Sequence, residues 1–182
     1  MLAMEKLFIL AATVAKNSTC LGQQVGAVVG IDGKPIAAGW NRQPLGIDTC
    51  TERGYCTEQD QTCLTQACPS RAIHAEMVAL GTAAQSGVSC RGASLYVTHR
   101  PCFACIKAAV SHGIEAIYWY GEDYSPDDAI REWAIPIIRL YFQGSESDLE
   151  DLCAASASNF AYPVLIHDKA YRSIDRAAHY SF

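Results

Sequence analysis

Two short runs constrain this chain more than anything else in it: His74-Ala75-Glu76 and Pro101-Cys102-Phe103-Ala104-Cys105. Each falls where the local pattern predicts the start of a helix. Together they supply one imidazole, two thiols, and a carboxylate two residues beyond the imidazole. Cys102 and Cys105 are spaced i, i+3, so they share a helix face and can grip one ion. In a first helical turn the unpaired backbone N–H groups and the helix dipole favour thiolate over thiol. Three protein ligands leave the fourth tetrahedral position of a zinc ion open to water, which separates a catalytic zinc site from a closed structural one. Zinc held this way lowers the pKa of a bound water to about 7. Glu76, unligated, is then placed to take the proton and hand it on. Either run alone says little, since C-x-x-C also occurs in zinc knuckles and redox pairs. Each at a helix start, with a helix and a strand between them, they point to one metal held between two helices.

The surrounding pattern predicts what carries these runs. Leu2 to Lys16 reads as an amphipathic helix that stops near Asn17-Ser18. Its apolar stretch Leu7–Ala15 imitates a signal peptide, but metal-binding thiols need a reducing compartment, and the helix is preferred. Gln24–Ile31 and Pro35–Trp40, joined through Asp32-Gly33, read as a β-hairpin. Residues 41–70 hold four cysteines and show no period; so long a stretch is functional or pinned. Then follow a helix (His74–Gln85), a strand (Ala93–Thr98), a helix (Cys102–Ser111), a strand (Ile114–Tyr120), a helix (Ser125–Leu140) that Pro136 should kink, and a short strand (Tyr162–His167). Alternating strands and helices predict an α/β architecture.

Composition narrows the function. The chain has 182 residues and a net charge of −5. One domain is expected over 1–182. The acidic balance speaks against a broad nucleic-acid surface, which draws its affinity from phosphate neutralisation, while one or two cations suffice for a small phosphorylated ligand. No apolar run reaches the 18 or so residues of a membrane span. Nine cysteines are an odd number in a chain long for a secreted disulfide framework, so a cytoplasmic protein is expected.

H-x-E…P-C-x-x-C is the signature of zinc-dependent nucleobase deaminases. The chain resembles the cytidine deaminase-like superfamily, and most closely its deoxycytidylate (dCMP) deaminases. The similarity runs over about residues 5–130 and includes Ser18-Thr19-Cys20, Gln24–Val29, Gly39-Trp40-Asn41, Pro44-Leu45-Gly46, His74-Ala75-Glu76-Met77 and Tyr96–Cys102. It departs from the family at Trp40, Arg42 and Val78, which touch nucleotide selection rather than zinc. The resemblance implies a three-layer α/β/α sandwich around a mixed five-stranded sheet, a cysteine-rich insert at 41–70, and a C-terminal extension over 125–182 read as helical.

It also implies a reaction, hydrolysis of dCMP to dUMP and ammonia, with Glu76 as the catalytic acid–base and zinc on His74, Cys102 and Cys105. Asn41, the backbone near Ala75, and Tyr124 would contact the nucleotide, with Arg42, Arg71 and Arg100 as phosphate or effector contacts. A homohexamer activated by dCTP and inhibited by dTTP with Mg2+ would follow. Cys20, Cys50, Cys56, Cys63 and Cys68 either supply four ligands to a second, structural zinc or are free thiols; spacing does not choose between these. Cys90 and Cys153 are read as inert. The competing functions are deamination of a nucleoside or of tRNA adenosine, and a non-catalytic nucleotide-binding regulator on the same scaffold. Retention of Glu76 argues against the last.

Overall fold

The computed structural model describes residues 3–56, 71–120 and 139–142. In chain order the elements are α1 (Ala3–Ala15), β1 (Gly26–Ile31), β2 (Lys34–Trp40), α2 (Cys50–Arg53), α3 (Ala75–Gln85), β3 (Ser94–Val97), α4 (Phe103–Ser111), β4 (Ala116–Trp119) and β5 (Arg139–Phe142). The strands form one sheet in the order β2-β1-β3-β4-β5. β1 is antiparallel to both β2 and β3, whereas β3, β4 and β5 run parallel. This is the mixed five-stranded sheet expected from the sequence.

The hairpin forms where Asp32-Gly33 predicted it. Ile31 pairs with Lys34 across a two-residue turn. Asp32 (φ 50°) and Gly33 (φ 73°) both take positive φ, as the turn that matches strand twist requires. Successive side chains of a strand point to opposite faces, and here both faces are covered. Ala27, Val29, Ala37, Leu95, Val97, Ile117 and Trp119 pack under α3 and α4 with Leu80, Ile106 and Ala109. Val28, Ala38, Trp40 and Tyr96 turn to the other face, against Leu7, Phe8, Leu10, Ala11 and Val14 of α1. Phe8 stands edge-on to Tyr96 and Tyr120, with centroids 5.4 and 4.5 Å apart. The result is a sandwich of helix, sheet and helices.

Glycine sets the closest approach on the α3 face. A Cβ at Gly39 would lie 2.5 Å from the Ala79 backbone nitrogen, so α3 rests directly on β2. Beyond Ser111 the sequence reading departs at one place. Arg139 and Leu140, expected to end a helix, begin strand β5. Leu-Tyr-Phe favours a pleated surface, and Pro136 removes the amide that would continue a helix into it. The remainder of the expected helix, the strand at 162–167 and most of the C-terminal extension lie outside the described residues. No helix among the described residues is long and apolar enough to cross a membrane.

Candidate active site

The ends of β1, β2, β3 and β4 that carry Gly26, Trp40, Val97 and Trp119 lie at one edge of the sheet, and the starts of α3 and α4 open there. His74 is the N-cap of α3 and Cys102 the N-cap of α4; both have extended backbone, and neither side chain caps its helix. Cys105 is the third residue of α4. His74 Nδ1 lies 3.5 Å from Cys102 Sγ and 3.5 Å from Cys105 Sγ. With Zn–S near 2.3 Å and Zn–N near 2.0–2.1 Å, a tetrahedral N···S edge is about 3.6 Å. Both nitrogen–sulfur edges therefore match a zinc tetrahedron, and the three donors, all within 4.8 Å of one another, could hold one ion.

Their electrostatics reflect the crowding. The Cys102 thiol is held down to about 3, first by a hydrogen bond from Cys105 and then by one from His74. Cys105 is pushed up by that same bond and by burial. A metal, which binds thiolates, would displace the thiol proton. Glu76 is 3% exposed. Burial raises its pKa, against the opposing pull of its own backbone N–H, the His74 charge and a hydrogen bond from Cys105. A carboxylate that contacts the ligand set without belonging to it suits proton transfer.

These residues open into a cavity of about 230 Å3, lined by Gln23, Val25, Asn41, Ala72, His74, Ala75, Glu76, His99, Arg100 and Cys102. Of the residues singled out from sequence, Asn41, Ala75 and Arg100 reach this cavity. The Asn41 carboxamide is already engaged: Oδ1 accepts from Val25 N–H at 2.9 Å, and Nδ2 donates to Gln23 O at 2.8 Å. It thus fixes the strand entry that forms one wall, keeping one amide hydrogen for a ligand. Arg42 instead lines a second cavity of about 540 Å3, its guanidinium 5.9 Å from the Trp40 ring. Arg71 donates to Asp48 O at 3.2 Å. Tyr124 lies outside the described residues. Sequence reasoning missed His99, whose Nδ1 is 2.9 Å from Thr98 Oγ1, which in turn accepts from Gly26 N–H. Its position three residues before Cys102 was the available signal.

Of the five cysteines considered for a second metal, Cys20, Cys50 and Cys56 converge in a buried cluster. Cys63 and Cys68 lie outside the described residues. Cys20 and Cys56 are 3.8 Å apart at sulfur, far beyond a disulfide bond of about 2.05 Å and equal to the ~3.8 Å S···S edge of a zinc tetrahedron. Burial pushes the Cys20 and Cys50 thiols up, and a bound cation would act in the opposite direction. The Cys50 position is set by α2, whose N-cap Thr49 and Glu52 form a reciprocal capping box. Cys90 is buried alone among apolar residues.

The chain matches the family described as the cytidine and deoxycytidylate deaminase zinc-binding region over residues 1–121. It is 40% identical over 111 residues to ComE operon protein 2 of Bacillus subtilis, covering 61% of this chain and 54% of that protein, so it spans about half of that relative's length. It is 33% identical to the deoxycytidylate deaminase of Mycobacterium phage D29, covering 60% of this chain and 88% of the phage protein. Among solved structures, the dCMP deaminase of cyanophage S-TIM5 in complex with dCMP and dUMP superposes with a TM-score of 0.60 at 29% identity, covering 76% and 95% of the two chains.

Proposed function

We propose that this chain, which belongs to the cytidine and deoxycytidylate deaminase zinc-binding family, hydrolyses dCMP to dUMP and ammonia. The observation that carries the reading is a set of three donor atoms within 4.8 Å of one another, two of them lining one cavity together with a buried, non-ligating carboxylate. His74, Cys102 and Cys105 would hold the zinc ion, which when bound would supply acidified water for the attack. Glu76 would take one proton from that water as the water oxygen bonds to C4 of the cytosine and pass it to N3, then take the remaining hydroxyl proton and pass it to the departing amine. The C4–N bond breaks, and one water is consumed per ammonia released. Asn41 and the Ala75 backbone hold the base edge. Arg100 meets the 5′-phosphate, since a guanidinium binds phosphate in a bidentate fork; Tyr124 joins it by family resemblance. Arg42 and Arg71, outside the cavity lining, are left to effector contacts.

Three finer points belong to the same reading. Cys20, Cys50 and Cys56 contribute to a second, structural zinc, supported by their spacing. dCTP activates and dTTP inhibits, each with Mg2+, in a cytoplasmic homohexamer, as in the family the sequence resembles. The deciding experiment is ammonia release from deoxycytidine, cytidine, dCMP, dCTP and a tRNA anticodon stem, with and without dCTP or dTTP. Preference for dCMP is expected; preference for the unphosphorylated nucleoside refutes the assignment. Metal analysis should give two zinc ions per chain.

A further inference from the structure

Residues 41–43 tie three parts of the molecule together. Asn41 belongs to the cavity wall. Its carbonyl accepts from Ser18 Oγ at 2.9 Å, and Ser18 Oγ also accepts from Cys20 N–H at 3.2 Å. Arg42 forms an isolated antiparallel bridge with Ile73, with N–H···O distances of 3.1 and 2.8 Å. That bridge ends immediately before His74. Gln43 faces the other way. It is 4% exposed; its Oε1 accepts from Thr19 Oγ1 at 3.1 Å and its Nε2 donates to Cys50 Sγ at 3.0 Å. Polar contacts therefore run from the cysteine cluster to the cavity by two routes, Gln43 through Arg42 and Ser18 through Asn41.

A carboxamide nitrogen can only donate, so the Cys50 sulfur accepts. Acceptance is strongest from a thiolate, the form a metal ligand takes. Groups that hydrogen-bond a metal ligand orient it and commonly change metal affinity 10–100-fold. Gln43 thus holds a cysteine ligand with one end of its side chain, while its backbone continues the segment that walls the nucleotide cavity.

We propose that Gln43 is a positioning residue that couples the three-cysteine metal site to the nucleotide pocket, so that filling the cysteine site sets substrate affinity rather than the rate of chemistry. This rests on the second-zinc and dCMP readings above. The link meets the base-edge residue Asn41 directly and reaches His74 only through the backbone bridge at Ile73, and none of these contacts involves Glu76, so the coupling is read in KM rather than kcat.

The test needs wild type, Gln43→Leu and Gln43→Glu. Zinc is counted during titration with a chelator, and cobalt(II) substitution reports each site through its thiolate-to-metal absorption. Gln43→Leu should surrender its second zinc at a roughly 10–100-fold lower chelator concentration, keep the first, and show a raised KM for dCMP at unchanged kcat. Gln43→Glu, which sets a carboxylate against thiolates, should be worse than Gln43→Leu on both measures. Wild type stripped of only its second zinc should reproduce the KM rise without any mutation. Unchanged second-site affinity in Gln43→Leu overturns the coupling, as does a stripped wild type with unchanged KM. Wild type with one zinc and full dCMP turnover overturns the cysteine-site reading, and the coupling with it. Wild type with two zincs and no dCMP turnover overturns the functional reading and with it the coupling to substrate affinity, while the chelator titration still decides whether Gln43 positions the cysteine site.

Discussion

Gly39→Ala tests whether the β2–α3 contact sets the geometry of the site. A methyl there lies 2.5 Å from Ala79 N and 2.8 Å from Val78 Cβ and Cγ1. The nearest obstacle is backbone, so no side chain can swing aside and the helix must retreat as a body. Restoring ordinary contact near 3.4 Å asks for a movement of about 0.9 Å. α3 carries His74 as its N-cap and Glu76 in its first turn, so the displacement reaches the reacting groups. Overpacking of this kind costs about 1–3 kcal/mol, or a Tm lower by about 2–12 °C for a chain this size. A catalytic group misplaced by about 1 Å loses about 100-fold in rate. Calorimetry and kcat/KM for dCMP measure the two effects, with Gly81→Ala as control. That substitution lies on the same helix with nothing within 4 Å of the added Cβ, and should stabilise by about 0.5–1 kcal/mol. Gly39→Ala with wild-type Tm and wild-type kcat/KM would refute the reasoning.

Three further outcomes are expected. Glu76→Gln keeps its zinc, measured by metal analysis, and loses about 100- to 10,000-fold in kcat; near wild-type turnover would remove Glu76 from the proton path. Asn41→Ala leaves Val25 N–H and Gln23 O without partners, so it lowers stability by about 1–3 kcal/mol in denaturant titrations and raises KM more than it lowers kcat. Cys105→Ser retains at most one zinc per chain and loses deamination, while chelation of the cysteine cluster alone leaves kcat intact.

The convergence of His74, Cys102 and Cys105 was legible because such a donor set is written locally: a helix start at His74 and another at Cys102 take a few residues each. The hairpin was equally legible, since Asp32-Gly33 can do little else between two apolar runs. What escaped notice depends on contacts remote in sequence. Asn41 was singled out only through the family resemblance, and its hold on Gln23 and Val25 shows only once they are brought beside it, while Gln43 has no recognisable role until Cys50 and Thr19 arrive. Helix α2 was overlooked for a different reason. Four residues carry no periodicity, and the only sign was the Thr49-x-x-Glu52 spacing of a capping box. At Arg139-Leu140 helical composition gave way to pairing with β4, a choice made by the neighbouring strand.

The Asp32-Gly33 turn stands at the opposite end of β2 from Asn41, about 20 Å away for a seven-residue strand. Asp32 is exposed and Gly33 half-buried, and the two-residue loop that satisfies their conformation belongs to neither donor cluster. This makes the turn a point of entry for engineering. A fluorophore, an affinity handle or a short peptide spliced there would report on the protein, or immobilise it, while leaving the chemistry at the far edge of the sheet undisturbed.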